Sequence, residues 1–243
     1  MSTKITLHHL NQSRSDRIFW ALEELELPYD VQTYIRLSSR SAPPSLKTIS
    51  PFGKAPVVDL NGEIITESAY IIHRLLRLAP ESAGKNVELT PTDDDLFWAH
   101  FSEGSQMNLL QAGLIVSGTA AAWSGGLAAR MSEEGKAGIK QYAGWLTEGY
   151  LRPQNQTNLD QIEAFLAARP GKFFSGTEKP GLGDFMMFFG INSLLRGARK
   201  DAGYNIGPAT LKWFETVSAR PALKKAMDRM IKEESAAKAK AKL

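Results

Sequence analysis

Hydrophobic and polar residues alternate at two different spacings in the first third of the chain, and these spacings predict a mixed α/β unit. Residues 4–10 and 29–35 are rich in strand-forming side chains and predict two β-strands. From Asp16 to Glu26, apolar residues recur every three or four positions, which predicts a helix between the strands. We expect Ser13 or Ser15 to cap the start of that helix.

A hairpin and a second helix complete the pattern. Pro56–Leu60 and Glu63–Thr66 flank Asn61-Gly62, a dipeptide typical of a type I′ turn. Residues 67–78 have the apolar spacing of an amphipathic helix. The resulting order, β-α-β-β-β-α, predicts a thioredoxin-like α/β domain.

The remainder of the chain has only helical periods and predicts an all-α domain. Expected helices cover about 91–116, 133–168 with an interruption at Pro153, 184–197, 208–217 and 220–235. The small residues of 118–126 are expected to break the first of these helices. We predict a thioredoxin-like domain at 1–80, a linker at 81–90, an all-helical domain at 91–235 and a frayed tail at 236–243.

Composition excludes several classes of function. The 243 residues carry a net charge of +3 without a basic stripe, so nucleic-acid binding is not expected. No apolar run is long enough to span a membrane, and no signal peptide is expected at the N-terminus. The chain has no cysteine, which excludes disulfides and a protein thiol nucleophile. His8 and His9 have no partners at metal-ligand spacing, so we expect no metal site.

The strongest candidate for chemistry is the segment Ser50–Leu60, followed by Glu67-Ser68. Because Pro56 opens a short apolar strand, the Ala55-Pro56 bond is a candidate for a cis peptide, which would turn the Ala55 N–H and C=O toward an extended ligand. Glu67 and Ser68 begin the next helix, where free N–H groups attract a carboxylate. Together the two segments predict a site for glutathione.

This combination resembles the cytosolic glutathione transferases over nearly the whole chain. The first loop, Ser13–Arg17, has the sequence SRSDR, and Glu103–Ser105 has the sequence EGS; both are similar to the serine-type fungal and bacterial branch. Residues 176–184 resemble the family's folding motif, with Gly181 where Ser or Thr is usual. The resemblance implies glutathione as co-substrate, no other cofactor, and a homodimer.

Such an enzyme must stabilise the glutathione thiolate. A free thiol has a pKa of about 8.5, and lowering this pKa by about two units requires about 2.7 kcal/mol. A hydroxyl hydrogen bond to a charged group provides about 1.5–3 kcal/mol, and a helix N-terminus about 0.3–1. One serine is therefore sufficient. Ser13 is the candidate; Ser15, Asn11, or backbone and water alone are the alternatives.

The resemblance also assigns the remaining site residues. It implies that Ala55 and Pro56 hold the cysteinyl part of glutathione, that Glu67 and Ser68 bind the γ-glutamyl end, and that Lys54 pairs with the glycyl carboxylate. Lys54 is otherwise an ordinary loop lysine. Glu103 and Met107, which share a helix face, are candidates for a hydrophobic electrophile pocket between the domains, although Met107 also suits a core.

Three functions remain open on the sequence. The first is conjugation of glutathione to small hydrophobic electrophiles, with glutathione-dependent peroxidase activity as an addition. The second is a noncatalytic ligand-binding or assembly module on the same fold, and the third is a glutathione lyase or dehalogenase. We expect the cytosol as the compartment. The peroxisome is the alternative, because Ala241-Lys242-Leu243 differs from the signal Ser-Lys-Leu at one small residue.

Overall fold

A computed structural model of the chain describes residues 3–120 and 130–240. Its four-stranded sheet has the order β2-β1-β3-β4, in which β1 and β2 are parallel and the other pairs are antiparallel. The strands are β1 (Ile5–Leu10), β2 (Asp30–Tyr34), β3 (Val57–Leu60) and β4 (Glu63–Ile65). This confirms the thioredoxin-like domain that the sequence predicts.

Helices make up most of the described remainder. They are α1 (Asp16–Glu24), α2 (Ser68–Leu76), α3 (Asp93–Phe101), α4 (Asn108–Ala120), α5 (Glu133–Leu146), α6 (Arg152–Ala167), α7 (Leu182–Leu195), α8 (Pro208–Ala219) and α9 (Pro221–Lys240). Two short 3₁₀ helices cover Pro44–Thr48 and Glu81–Lys85. The helical C-terminal region is thus confirmed.

Strand register brings the candidate segments to one end of the sheet. Leu10 at the end of β1 pairs with Tyr34 at the end of β2, and His8 pairs with Val57 at the start of β3. Because β1 and β3 are antiparallel, the loop after β1 and the residues before β3 lie at the same end. Val58 in turn pairs with Ile65, so the residues that follow β4 reach this end as well.

The chain forms two contact units, and these do not follow chain order. The first unit contains the described residues of 1–99, 171–189 and 213–243, and the second contains those of 100–170 and 190–212. Within the first unit, the Trp20 ring packs edge-on against Phe185 at 4.6 Å and against Phe188 at 5.4 Å between centroids. The domain limits at residues 80, 90 and 235 stay predictions.

Several helix limits differ from the sequence expectation. The predicted helix 91–116 is interrupted by a π-helical turn at Ser102–Met107 and continues to Ala120; the rest of the predicted break lies outside the described residues. A second π-helical turn, Thr147–Leu151, precedes Pro153, which lacks an N–H group and lies in the first turn of α6.

The predicted frayed tail is helical as far as the structure describes it, because α9 extends to Lys240 rather than ending at 235. Alanine and lysine are strong helix formers, and Lys238 lies 3.5 Å from Glu234 one turn earlier. Residues 241–243, which carry the candidate peroxisomal signal, lie outside the described residues.

Candidate functional site

The predicted cis peptide bond is present between Ala55 and Pro56. Pro56 is buried, and Ala55 packs against a small cluster formed by Leu10, Tyr34 and Leu46. That cluster joins the end of β1, the end of β2 and the 3₁₀ helix at Pro44–Thr48. The Ala55 backbone is therefore held on a packed base at the end of the sheet.

Glu67 and Ser68 form the start of α2 at the same end. Glu67 has a φ of 68°, which is unfavourable for a residue with a side chain and is frequent at functional sites. Its side chain is exposed, whereas Ser68, the first helical residue, is buried. No side-chain cap bonds to this helix start in the described residues. Its first N–H groups are therefore available to an anionic ligand.

The first loop contains two serines in contact with each other. Ser13 Oγ accepts a hydrogen bond from the Ser15 backbone N–H at 3.2 Å and lies 2.8 Å from Ser15 Oγ. Ser15 is fully buried, whereas Ser13 is half-buried. One of the two hydroxyls donates to the other; when Ser15 Oγ is the donor, the Ser13 hydroxyl keeps its own proton for donation elsewhere.

Ser15 does not cap α1 as predicted, whereas Ser13 Oγ accepts the Ser15 N–H directly before the helix. Ser15 precedes Asp16, but its backbone is already helical, with φ −68° and ψ −20°, and its side chain bonds no helix N–H. Its carbonyl accepts the N–H groups of Ile18 and Phe19, both at 3.0 Å. A side-chain cap requires an extended backbone at this position, so the helical geometry prevents it.

Asn11 makes structural hydrogen bonds with both its side chain and its backbone. Its side-chain oxygen accepts the Arg36 backbone N–H at 2.7 Å, and its own backbone N–H donates to Tyr34 O at 3.2 Å. The residue is buried beneath the loop. Its amide oxygen therefore holds the end of β2 to the end of β1.

Two ionisable groups under this end of the sheet have shifted pKa values. Burial raises the pKa of Asp16 to about 7, against the opposing effect of Arg17, whose N–H donates to Asp16 Oδ1 at 2.7 Å. Burial also lowers the pKa of His8, whose Nδ1 lies 3.1 Å from Tyr34 Oη. The imidazole is thus neutral near pH 7, and the Asp16 carboxyl titrates there.

The remaining predicted residues lie in other surroundings. Lys54 is an exposed loop residue directly before Ala55. Glu103 and Met107 belong to the second unit, on the π-helical turn Ser102–Met107. Glu103 is half-buried, whereas Met107 is only 1% exposed and is part of that unit's core.

The described residues contain no cluster of three or more side chains suited to hold a metal ion. Across the same residues, no helix is both long enough and apolar enough to cross a membrane. An open cavity of about 460 Å³ lies on the outer face of α2, lined by Tyr70, His73, Arg74, Arg77 and Leu78. It is therefore formed by a different part of α2 from Glu67 and Ser68.

The sequence analysis missed Arg36. Its guanidinium donates to three backbone carbonyls, those of Asn11, Gln12 and Arg40. The contacts with Asn11 and Gln12 join residues that are 25 and 24 positions apart, and contacts over such distances leave no periodic signal in the sequence. The nearest signal is the location of Arg36 just after a strand that runs parallel to β1.

The sheet and the cis-proline segment before β3 define a thioredoxin-like protein. Residues 7–83 match the family described as "Glutathione S-transferase, N-terminal domain". The chain is also 32% identical over 229 residues to glutathione S-transferase 3 of Schizosaccharomyces pombe, covering 93% of this chain and 88% of that protein. The chain belongs to the glutathione S-transferase family.

Two further proteins extend the comparison. Glutathione S-transferase 1 of Saccharomyces cerevisiae is 25% identical over 227 residues, covering 88% of this chain and 90% of that protein. The crystal structure of a glutathione S-transferase from Actinobacillus pleuropneumoniae has a TM-score of 0.64 and 26% identity, covering 93% of this chain and 92% of that one. The similarity therefore includes the helical region as well as the sheet.

Proposed function

We propose that this protein is a glutathione transferase that joins the sulfur of glutathione to small hydrophobic electrophiles. One observation carries the proposal: the cis Ala55-Pro56 segment and the uncapped start of α2 lie at the same end of the sheet. The strand limits leave each segment one to three residues beyond a paired strand, because β3 begins at Val57 and β4 ends at Ile65. Family membership makes glutathione the thiol peptide expected there.

Each part of glutathione has a proposed partner. The Ala55 backbone pairs with the cysteinyl residue, and Pro56 fixes that backbone. The Glu67 carboxylate meets the γ-glutamyl ammonium, while Ser68 and the N–H groups of α2 bind the adjoining carboxylate. Lys54, exposed and next to Ala55, pairs with the glycyl carboxylate.

Ser13 is proposed as the residue that stabilises the thiolate. When Ser15 Oγ donates to the Ser13 oxygen, the Ser13 proton is available to a ligand, and the half-buried side chain is within a ligand's reach. Ser15 is buried and supports Ser13, and Asn11 is occupied by Arg36. These contacts favour Ser13 over Ser15 and Asn11 and agree with a serine-type member of the family, while backbone and water alone remain the third alternative.

In the proposed reaction, the thiolate sulfur attacks an electrophilic carbon. A sulfur–carbon bond forms, the bond to the leaving group breaks, and that group departs with the electron pair; the thiol proton has already passed to solvent. Glu103 and Met107, both on the π-helical turn Ser102–Met107, are the proposed residues of the electrophile pocket.

Turnover distinguishes this function from its alternatives. The protein is incubated with glutathione and a panel of aryl halides, isothiocyanates and organic hydroperoxides. Loss of hydroperoxide with formation of alcohol, water and glutathione disulfide from two glutathione molecules would establish the additional peroxidase activity. Glutathione binding without turnover of any compound would instead favour a noncatalytic ligand-binding module.

Calorimetric titration tests the binding site directly. Glu67→Gln keeps the size of the side chain but removes its charge, and a charged hydrogen bond of about 1.5–3 kcal/mol corresponds to a loss of affinity of about 10- to 100-fold. Glu134→Gln, an exposed acid on α5, is the matched control and should bind as the wild type does. Equal affinity in the Glu67→Gln variant would refute the site.

A homodimer is proposed through the outer faces of α2 and α3 in the first unit. Tyr70 is 48% exposed and Phe97 is 58% exposed, and the cavity on α2 adds Arg77 and Leu78. Large exposed aromatic side chains are typical of an association surface. Sedimentation at micromolar concentration should give twice the chain mass of 26.7 kDa, and a single-chain mass would exclude the dimer.

The cytosol is the proposed compartment, as in the resembled family. If the protein ends at Leu243, Ala241-Lys242-Leu243 makes the peroxisome the alternative. Residues 232–243 fused to a fluorescent protein distinguish the two in eukaryotic cells. Diffuse fluorescence supports the cytosol, whereas punctate fluorescence that is lost on deletion of Leu243 supports the peroxisome.

A further inference from the structure

Arg36 makes four hydrogen bonds that connect the first loop to the segment after β2. Its backbone N–H donates to Asn11 Oδ1 at 2.7 Å, and its Nε donates to Asn11 O at 3.0 Å. The two terminal nitrogens donate to Gln12 O at 3.2 Å and to Arg40 O at 2.9 Å. The side chain thereby holds three carbonyl groups from two loops.

Two of these carbonyls belong to residues in an unfavourable backbone conformation. Gln12 has a φ of 54° and Arg40 a φ of 63°, and both lie in the left-handed region that favours glycine. Such conformations are strained and persist only when the surroundings fix them. Here one guanidinium binds the carbonyl of each of the two residues.

Gln12 directly precedes Ser13, so its conformation sets where the Ser13 side chain begins. The contact between Ser13 and Ser15 fixes the loop on its other side. Without Arg36, Gln12 would relax toward an ordinary conformation, and Ser13 would move with it. A displacement of about 1 Å is enough to weaken a catalytic contact strongly.

We propose that Arg36 is a positioning residue for thiolate formation, which acts by holding Gln12 and thereby Ser13. The inference rests on the proposed function. The planar guanidinium suits this role because it binds several carbonyls in fixed directions at once, whereas a lysine ammonium is a flexible point charge. Arg36 itself needs no contact with glutathione.

A competing explanation is that the positive charge of Arg36 acts directly on the thiolate. Arg36→Lys separates the two explanations, because it keeps the charge and removes the fixed three-way bonding. Arg36→Gln removes both. Arg40→Gln is the control: it removes a charge from the same loop but leaves the Arg40 backbone carbonyl in place for Arg36.

The experiment measures the pKa of bound glutathione from its ultraviolet thiolate absorbance, together with the Kd for glutathione and kcat. Arg36→Lys and Arg36→Gln should each raise the thiol pKa by about one unit, a tenfold change in ionisation. At a pH below the thiol pKa of every variant, the affinity for glutathione should change by less than about threefold, because other residues bind the rest of glutathione. Arg40→Gln should leave the thiol pKa unchanged.

A double variant tests whether Arg36 acts through Ser13. Once Ser13→Ala has removed the hydroxyl, adding Arg36→Gln should raise the thiol pKa no further. The inference is wrong if bound glutathione has the same thiol pKa in Arg36→Lys as in the wild type. It is also wrong if the thiol pKa in the double variant is higher than in Ser13→Ala. Absence of glutathione binding by the wild-type protein would instead overturn the proposed function. Thermal unfolding of each variant verifies that it is folded.

Discussion

The carboxylate of Asp95 occupies the space where a side chain at Gly181 would begin. A Cβ atom at residue 181 would lie 2.5 Å from each Asp95 carboxylate oxygen. That carboxylate accepts the Gly183 N–H at 2.7 Å, at the start of α7, and the Thr92 N–H at 3.2 Å. Asp95 therefore caps α7 from a distant part of the chain, and the serine or threonine usual in the resembled motif would have no room.

We expect Gly181→Ser to destabilise the protein, although serine is a favourable cap elsewhere. The added atoms would displace a carboxylate that two backbone N–H groups hold, at a cost of about 1–3 kcal/mol. Chemical denaturation gives the free energy of unfolding. The control is Gly138→Ala, in α5, where an added Cβ meets nothing within 4 Å and which should be neutral or slightly stabilising.

The same relationship predicts non-additive effects. In Gly181→Ser combined with Asp95→Ala, the serine hydroxyl gains the space that the carboxylate leaves. The combined loss should therefore be smaller than the sum of the two single losses. Strict additivity would mean that the two residues do not interact.

Ser13 and Ser15 should differ in their effect on the thiol. Ser13→Ala removes the proposed donor and should raise the pKa of bound glutathione by about one to two units, from a hydrogen bond of about 1.5–3 kcal/mol. Ser15→Ala keeps the backbone N–H that orients Ser13 and should have a smaller effect. The pH profile of kcat/KM for the electrophile, at saturating glutathione, measures both shifts. A larger shift in Ser15→Ala would move the role to that residue.

Asp16 should make folding stability depend on pH. Burial raises its pKa from 3.8 to about 7, so between these values the folded state binds a proton that the unfolded state does not. Stability therefore falls as pH rises from about 4 to 7 and then levels, by at most about 4 kcal/mol. Relative to Asp16→Asn, the wild type should lose stability over this range in urea denaturation. If the free energies of unfolding of the wild type and Asp16→Asn change with pH in parallel, Asp16 does not titrate between about pH 4 and 7.

Glu24 should be among the most sensitive positions of the first unit. This buried carboxylate accepts Trp20 Nε1 at 2.8 Å and Arg220 Nε at 3.0 Å. Arg220→Ala leaves it without its cation and should cost about 3–5 kcal/mol. Lys225→Ala breaks an ion pair to Glu23 from an exposed position and should cost less than about 1 kcal/mol. Similar losses in both variants would contradict this ranking.

Local chemistry explains what the sequence could predict. Pro56 before a strand indicated the cis bond, and Asn61-Gly62 indicated a turn whose two residues have φ values of 55° and 90°. Elements with a short apolar period, and residues that favour one backbone conformation, can be recognised in a sequence. The π-helical turns cannot be recognised in this way, because a single turn with i→i+5 bonds has no apolar period of its own.

Contacts between distant residues explain what the sequence could not predict. The three carbonyls bound by Arg36, and the place of Asp95 at the start of α7, depend on which loops the fold brings together. The Ser15 cap was expected from residue type alone, and the backbone conformation overruled it. The roles of Ser13 and Glu67 remain predictions for the experiments above, and the role of Glu103 remains a prediction.

The first unit includes residues from the last part of the chain, and this sets the order in which its contacts form during synthesis on the ribosome. When residue 99 has been added, Trp20 still lacks Phe185, and Glu24 still lacks Arg220. At the usual speed of translation, the intervening synthesis takes on the order of 10 s. During that time, the nascent chain already contains the cluster that packs against Ala55, but α1 lacks these two late partners. Trp20 and Glu24 therefore gain their full set of contacts only after Arg220 has been added.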